Sequence, residues 1–101
     1  MGLAIVVTDY TGEVFDRVGD PKNFLHRLLP AADGCSTTLL TKIDWYGDTY
    51  FNYLQMGLFL NEWDQLEQRA ATPEEVELVE GVRRLAERCR KDRSLLRFIG
   101  D

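Results

Sequence analysis

The sequence predicts a single α+β domain, in which a small, mostly antiparallel sheet packs against about three helices. The chain has 101 residues and is 45% hydrophobic, which suits one domain with its own core. Strand-like and helix-like segments are mixed along the chain. They do not alternate as regular strand–helix–strand units, so a doubly wound parallel sheet is disfavoured.

The first part of the chain begins with a predicted hairpin. Residues 3–8 are rich in β-branched side chains, a turn follows, and residues 14–18 resume an apolar pattern. A helix is then predicted from Asp20, which can accept bonds from free N–H groups, and Pro21, which suits a first helical turn. Pro30 is expected to end this helix. Its apolar stripe comprises Phe24, Leu25, Leu28 and Leu29.

A second pair of strands is predicted in the middle of the chain, after a loop over residues 31–36. Residues 37–44 and 49–52 have strand composition. The turn between them contains Gly47, which can take a positive φ. A helix of about four turns follows. Its predicted buried face comprises Met56, Phe59, Leu60, Trp63 and Leu66.

The strongest local signal is the start of the next helix. Thr72 can cap, Pro73 suits the first helical position, and Glu75 can reach back to the N–H of the cap. The helix should continue to about Lys91. Residues 95–99 then form a final predicted strand. The predicted order over residues 1–101 is therefore β-β-α-β-β-α-α-β.

Composition also limits the classes of partner. The formal net charge is −5, so nonspecific binding to nucleic acid or to an anionic membrane is disfavoured. Residues 83–97 are locally basic, with seven basic and two acidic side chains, and are expected to form a solvated helix face, partly paired with Glu80, Glu87 and Asp92. No apolar run reaches the roughly 20 residues that span a bilayer. The apolar start of the chain lacks the basic residues of a signal peptide, so a cytoplasmic location with reduced thiols is expected.

The candidate functional segment is residues 43–53, where five of eleven side chains are aromatic and two are acidic. In a hairpin, successive side chains point to opposite faces, so these rings cannot all enter one core. Aromatic side chains beside acids at a turn are typical of a protein-binding surface. Two alternatives remain open: the rings fold over the sheet, or the acids hold the turn. The predicted partner-binding residues are Asp44, Trp45, Tyr46, Asp48 and Tyr50.

Other reactive side chains do not form a recognisable site. His26 is the only histidine and has no local nucleophile or orienting carboxylate. Cys35 lies beside Asp33, which would raise the pKa of its thiol, and Cys89 fits a buried helix stripe. The spacing of Asp44 and Asp48 lacks the alternating ligands of a calcium loop. We therefore predict no catalytic residue, no metal and no cofactor, and the chain is not expected to be an enzyme.

A resemblance supports a domain type. The segments Ile43-Asp44-Trp45-Tyr46-Gly47-Asp48-Thr49, Phe51-Asn52 and Leu54-Gln55-Met56 are similar to a family of small bacterial proteins of about this chain's length. The similarity extends to residues 28–30, 84–89 and 98–101 and so covers most of the chain. That family has no assigned biochemistry to carry over. In size, charge and composition the chain also resembles immunity proteins of polymorphic toxin systems.

The leading hypothesis is a non-enzymatic immunity protein that binds and neutralises a cognate toxin. A basic toxin domain would suit it as a partner, because an acidic inhibitor associates quickly with a basic protein. One rival is a self-associating structural or regulatory module. It would dimerise through the helix that carries Phe59 and Trp63, or through an exposed edge strand. The other rival is a small hydrolase or metal-dependent enzyme that uses Asp44, Asp48 and His26. The chain is thus expected to be a monomer or a homodimer.

Overall fold

The sheet has one layer of helices packed on one of its faces. The computed structural model of the chain describes residues 3–29 and 39–100, and in these the strand order is β2-β1-β4-β3, antiparallel throughout. The strands are β1 (Ala4–Thr8), β2 (Val14–Gly19), β3 (Asp48–Asn52) and β4 (Leu95–Ile99). The helices are α1 (Phe24–Leu28), α2 (Met56–Arg69) and α3 (Pro73–Asp92), with 3-10 turns at Leu40–Lys42 and Tyr53–Gln55. The predicted α+β class is confirmed, as is the predicted order apart from one strand.

The two central strands, β1 and β4, come from opposite ends of the described chain. Ile5 and Val7 of β1 alternate with residues on the open face and point into the main core. Leu96 and Phe98 of β4 pair with Val7 and Ile5 and are equally buried. Because both strands have a neighbour on each side, their backbone groups are paired within the sheet.

An aromatic cluster joins the sheet to α2. Phe59 and Trp63 stack with ring centroids 5.3 Å apart, and both contact Phe98 of β4. The Trp63 indole N–H donates to the carbonyl of Val79 on α3 at 2.9 Å. Both α2 side chains are fully buried, so neither is available to a surface through which α2 would dimerise.

The predicted start of α3 is confirmed as a complete capping box. The Glu75 N–H donates to Thr72 Oγ1 at 3.2 Å, and Glu75 Oε1 accepts from the N–H groups of Thr72 and Ala71. The same carboxylate accepts a bond from the Arg27 guanidinium of α1 and is only 3% exposed. Glu75 therefore ties the α2–α3 junction to α1.

Helix α1 begins three residues later than predicted, at Phe24 and not at Pro21. The Asp20 N–H still donates to Leu3 O beside the sheet, so the chain needs a further turn before it can become helical. The Asp20 carboxylate spans this turn and accepts from the N–H groups of Phe24 and Leu25 at 2.9 Å each. Asn23 takes a left-handed φ of 59° just before the helix. Asp20 therefore caps the helix as predicted, but it lies four residues before the first helical residue instead of directly before it.

The strand predicted over residues 37–44 is wrong for its described part. Residues 37 and 38 lie outside the described chain, as do Pro30, the loop at 31–36 and Cys35. The chain forms a 3-10 turn there because Leu39, Leu40 and Ile43 are all buried, a spacing typical of a helical turn. The carboxylate of Glu62 on α2 accepts from the N–H groups of Leu39 and Leu40 at 3.0 and 3.1 Å. A buried acid thus satisfies donors that a neighbouring strand would otherwise have paired.

The basic run forms a partly paired surface, as predicted, and Asp92 is one of the expected partners. Arg83 bonds Asp64 and Glu67 of α2, and Arg88 bonds Asp92 one turn on. Glu80 and Glu87 were the other expected partners, and within the described residues neither pairs with this run.

Cys89 is a free, fully buried thiol on the inner face of α3, as predicted. Its Sγ–H donates to the carbonyl of Ser94. Burial raises the pKa of the Cys89 thiol to about 11, so it stays protonated and unreactive in the folded protein.

The capping box gives a first prediction. Thr72→Ala removes the acceptor for the Glu75 N–H and should lower the free energy of unfolding by about 1 kcal/mol. Thr72→Ser is the matched control, because it keeps the hydroxyl and should retain most of the stability. Urea denaturation of the two variants measures both effects. Equal midpoints for Thr72→Ala and the wild type would contradict the cap.

The second prediction concerns pH. The Arg27 hydrogen bond, helped by the Ala71 N–H, holds the pKa of Glu75 below its ordinary value of 4.5. A lowered folded-state pKa stabilises the fold above pH 4.5, and this contribution is lost as the pH falls below that value. Glu75→Gln should therefore flatten the acid limb of a plot of melting temperature against pH. The exposed neighbour Glu74→Gln is the control, and an equal flattening in both variants would refute the assignment.

Candidate functional site

The predicted binding residues lie on the turn before β3 and on β3 itself, which we call the β3 surface (residues 44–50). Asp44 shapes the turn: its Oδ1 accepts from the Tyr46 N–H at 2.9 Å. The Asp44 N–H donates in turn to Thr49 Oγ1 at 2.8 Å. This is a side-chain-closed turn of the kind that Asp favours, so Asp44 has a structural role.

The end of β4 fixes the turn from the other side. The Gly100 N–H donates to Gly47 O at 2.7 Å. A Cβ atom at Gly100 would lie 2.6 Å from the backbone of both Gly47 and Trp45, which no side chain can tolerate. The turn is therefore pressed against the sheet by a close backbone approach that requires glycine.

Trp45 is part of the scaffold. Its side chain is half-buried and packs against the main core. The ring of His26 on α1 meets it edge-on, with centroids 5.2 Å apart. Trp45 thus folds back onto the protein, as one of the two alternatives expected, and His26 packs on its ring.

Tyr46 and Tyr50 are the exposed aromatic residues of this surface. Tyr46 is 86% exposed and Tyr50 is 51% exposed. The Arg97 guanidinium of β4 lies over the Tyr50 ring, 5.4 Å from its centroid. It also bonds the Asp48 carboxylate, and this bond raises the pKa of Arg97. Asp48, Tyr50 and Arg97 therefore form one cluster on the open face of the sheet.

Arg97 was not among the sequence-predicted site residues. It lies within the basic run at 83–97, where its charge does not stand out. Only the strand register reveals its place, because Tyr50 and Arg97 are direct partners across β3 and β4. Cross-strand pairs of this kind contact each other through their side chains.

Two exposed leucines adjoin the β3 surface and were also missed. Leu54 is 76% exposed and Leu58 is half exposed. They lie four residues apart where the 3-10 turn enters α2, so they share one helix face. The signal was present in the sequence, since both positions fall outside the predicted buried face of α2.

The residues of the enzyme hypothesis are engaged separately. Asp44 bonds its own turn, Asp48 bonds Arg97, and His26 packs on Trp45. Within residues 3–29 and 39–100, no group of three or more His, Cys, Asp or Glu side chains is placed to hold a metal ion. A surface depression of about 230 Å³ lies elsewhere, between the β2–α1 turn and the start of α3.

Among the helices of the described chain, none has the length and apolar character needed to span a bilayer. Compared with known protein families, with curated proteins and with solved structures, the chain shows no match.

The geometry separates scaffold from surface, which gives a third prediction. Trp45→Ala should destabilise the protein by about 2 kcal/mol, roughly half the cost of removing a fully buried tryptophan. Tyr46→Ala should change stability by less than about 0.5 kcal/mol, because its ring is exposed. Thermal or urea unfolding of both variants tests this. Equal destabilisation would mean that the two rings have the same role.

Proposed function

We propose that this chain is a non-enzymatic protein-binding domain of the immunity type, which binds and neutralises a cognate toxin through the β3 surface. The proposal includes a cytoplasmic site of action. The observation that carries it is the exposure of Tyr46 and Tyr50 on a turn and strand whose backbone is held in place by Asp44. Rigid, exposed aromatic side chains are typical anchors of protein interfaces, because little conformational entropy is lost when they bind.

The net charge of the chain supports a basic partner, but the acidic side chains of the β3 surface are not the main source of the attraction. Asp48 is neutralised by Arg97, and Asp44 is engaged with its own turn. The β3 surface therefore keeps the negative charge of Asp44, beside the apolar rings of its two tyrosines. Long-range attraction would come from the whole chain, with its net charge of −5. Steering and anchoring are thus separate contributions.

The enzyme alternative gains no such support. General acid–base chemistry needs its groups within hydrogen-bond reach of one another or of a substrate. His26, Asp44 and Asp48 each have a different structural partner. The self-association alternative has a specific observation in its favour, the open edge of β3.

The test pairs this chain with toxins encoded beside its gene. Co-expression should rescue growth, and calorimetry with an inactivated toxin should give the affinity. Tyr46→Ala and Tyr50→Ala should each weaken binding by about 2 kcal/mol, as removal of interface anchors does. Tyr10→Ala is the matched control, since Tyr10 is also exposed but lies on the distant β1–β2 turn.

A second arm separates steering from anchoring. Added salt should slow the association of the wild type, and of both tyrosine variants, in proportion. Their dissociation rates should rise with little dependence on salt. If Tyr10→Ala weakens binding as strongly as Tyr46→Ala and Tyr50→Ala, the binding site lies elsewhere.

A further inference from the structure

The outer edge of β3 carries backbone groups without a partner. Gly47 and Gly100 form a hydrogen-bonded pair, and the register continues without a shift through Asp48–Asn52. In an antiparallel ladder, hydrogen-bonded and non-bonded pairs alternate. Thr49 and Phe51 therefore direct their N–H and C=O groups towards β4, and Asp48 and Tyr50 direct theirs away from it. Within the described residues, nothing bonds these outward groups.

This open stretch is bounded at both ends. The N–H of Tyr46 is taken by the Asp44 side chain, and the N–H of Asn52 is taken by Gln55 Oε1 at 2.8 Å. Tyr46 and Asn52 lie three residues before and after Thr49, whereas Asp48 and Tyr50 flank it directly. The free donors and acceptors are therefore arranged symmetrically about Thr49.

The opposite edge of the sheet is protected. The same alternation, set by the bond from the Asp20 N–H to Leu3 O, directs the N–H of Arg17 away from β1. That N–H is taken by the Asp16 side chain at 2.8 Å. Charged side chains on an edge also discourage strand pairing. The two edges thus differ, and β3 is the more open of the two to a further strand.

From this symmetry we propose that β3 pairs with β3 of a second copy of this chain, antiparallel, about a two-fold axis at Thr49. Asp48 then stands opposite the partner's Tyr50, and all four backbone groups of each copy's open stretch are bonded. A two-fold axis needs a self-complementary surface, and the symmetric spacing supplies one. The result is a continuous eight-stranded sheet.

Side chains on the open face fit the same register. Each Asp48 lies beside the partner's Tyr50, over which the partner's Arg97 is stacked, so opposite charges approach across the axis. Antiparallel pairing also brings the Tyr46 end of one strand to the Leu54 end of the other. Those are the two most exposed large apolar side chains near β3. The pairing would therefore cover apolar surface at both ends of the strand.

The dimer goes beyond the proposed function, and because it would cover Tyr46 it would compete with a toxin for the β3 surface. Its test needs no toxin. Sedimentation of the purified full chain from micromolar to millimolar concentration should show a shift from the chain mass to twice that mass. Tyr50→Pro removes the outward N–H without removing a bond to β4, and proline is tolerated at such edge positions. Tyr50→Ala is its matched control, because it loses the same ring but keeps the N–H.

Tyr50→Pro should weaken the dimer by about tenfold or more relative to Tyr50→Ala, since each copy loses one bond. A wild-type protein that stays monomeric at millimolar concentration overturns the proposal. Equal dissociation constants for the two variants also overturn it.

Amide hydrogen exchange on the wild type keeps the test decisive if Tyr50→Pro does not fold. Exchange at the Asp48 and Tyr50 amides should slow as the concentration rises through the mass transition, while the outward amide of Gly19 on β2 should not change. Dimerisation without added protection at Asp48 and Tyr50 would place the interface elsewhere and refute the β3 pairing.

Discussion

The contact between the aromatic rings of α2 and those of the sheet is the interaction on which the rest of the structure depends. Phe59 and Trp63 meet Phe98 of the central strand β4, and Phe51 of the edge strand β3 contacts both Phe59 and Phe98. Large rings bury much apolar area per residue, so these four rings contribute more to the core than their number suggests. The same contact fixes β3 against the core and thereby holds its other face, with Tyr50, towards solvent.

The helices were the most predictable elements, for local reasons. The capping box at Thr72 and Glu75 lies within four residues, and the buried face of α2 repeats at helical spacing. The start of α1 and the segment before the β3 turn were mispredicted because distant groups decide them. Leu3 holds Asp20 beside the sheet, and Glu62 supplies the acceptor that makes a 3-10 turn favourable at Leu40. Sequence patterns within a short window do not contain either partner.

Composition indicated where the candidate site lies in the sequence, but not which of its side chains are exposed. A segment rich in rings and acids indicates a surface, yet alternation cannot assign faces within a turn. Which ring is scaffold depended on α1, since His26 covers Trp45 and leaves Tyr46 free. The role of Asp48 depended on Arg97, whose position follows only from the pairing of β3 with β4. Register between strands far apart in sequence is the information that a single sequence lacks.

The central position of β4 has a consequence for how the chain is made. β4 is the last strand in chain order, yet it lies between β1 and β3. During synthesis the β1–β2 hairpin and β3 therefore emerge as separate pieces that cannot join until residues 95–99 have left the ribosome. Contacts between α2 and α3 are local and can form earlier, whereas the sheet requires the closure of a long loop. A nascent chain that stalls before β4 leaves β3 unpaired and one edge of β1 open, and open strand edges are prone to pair with other chains.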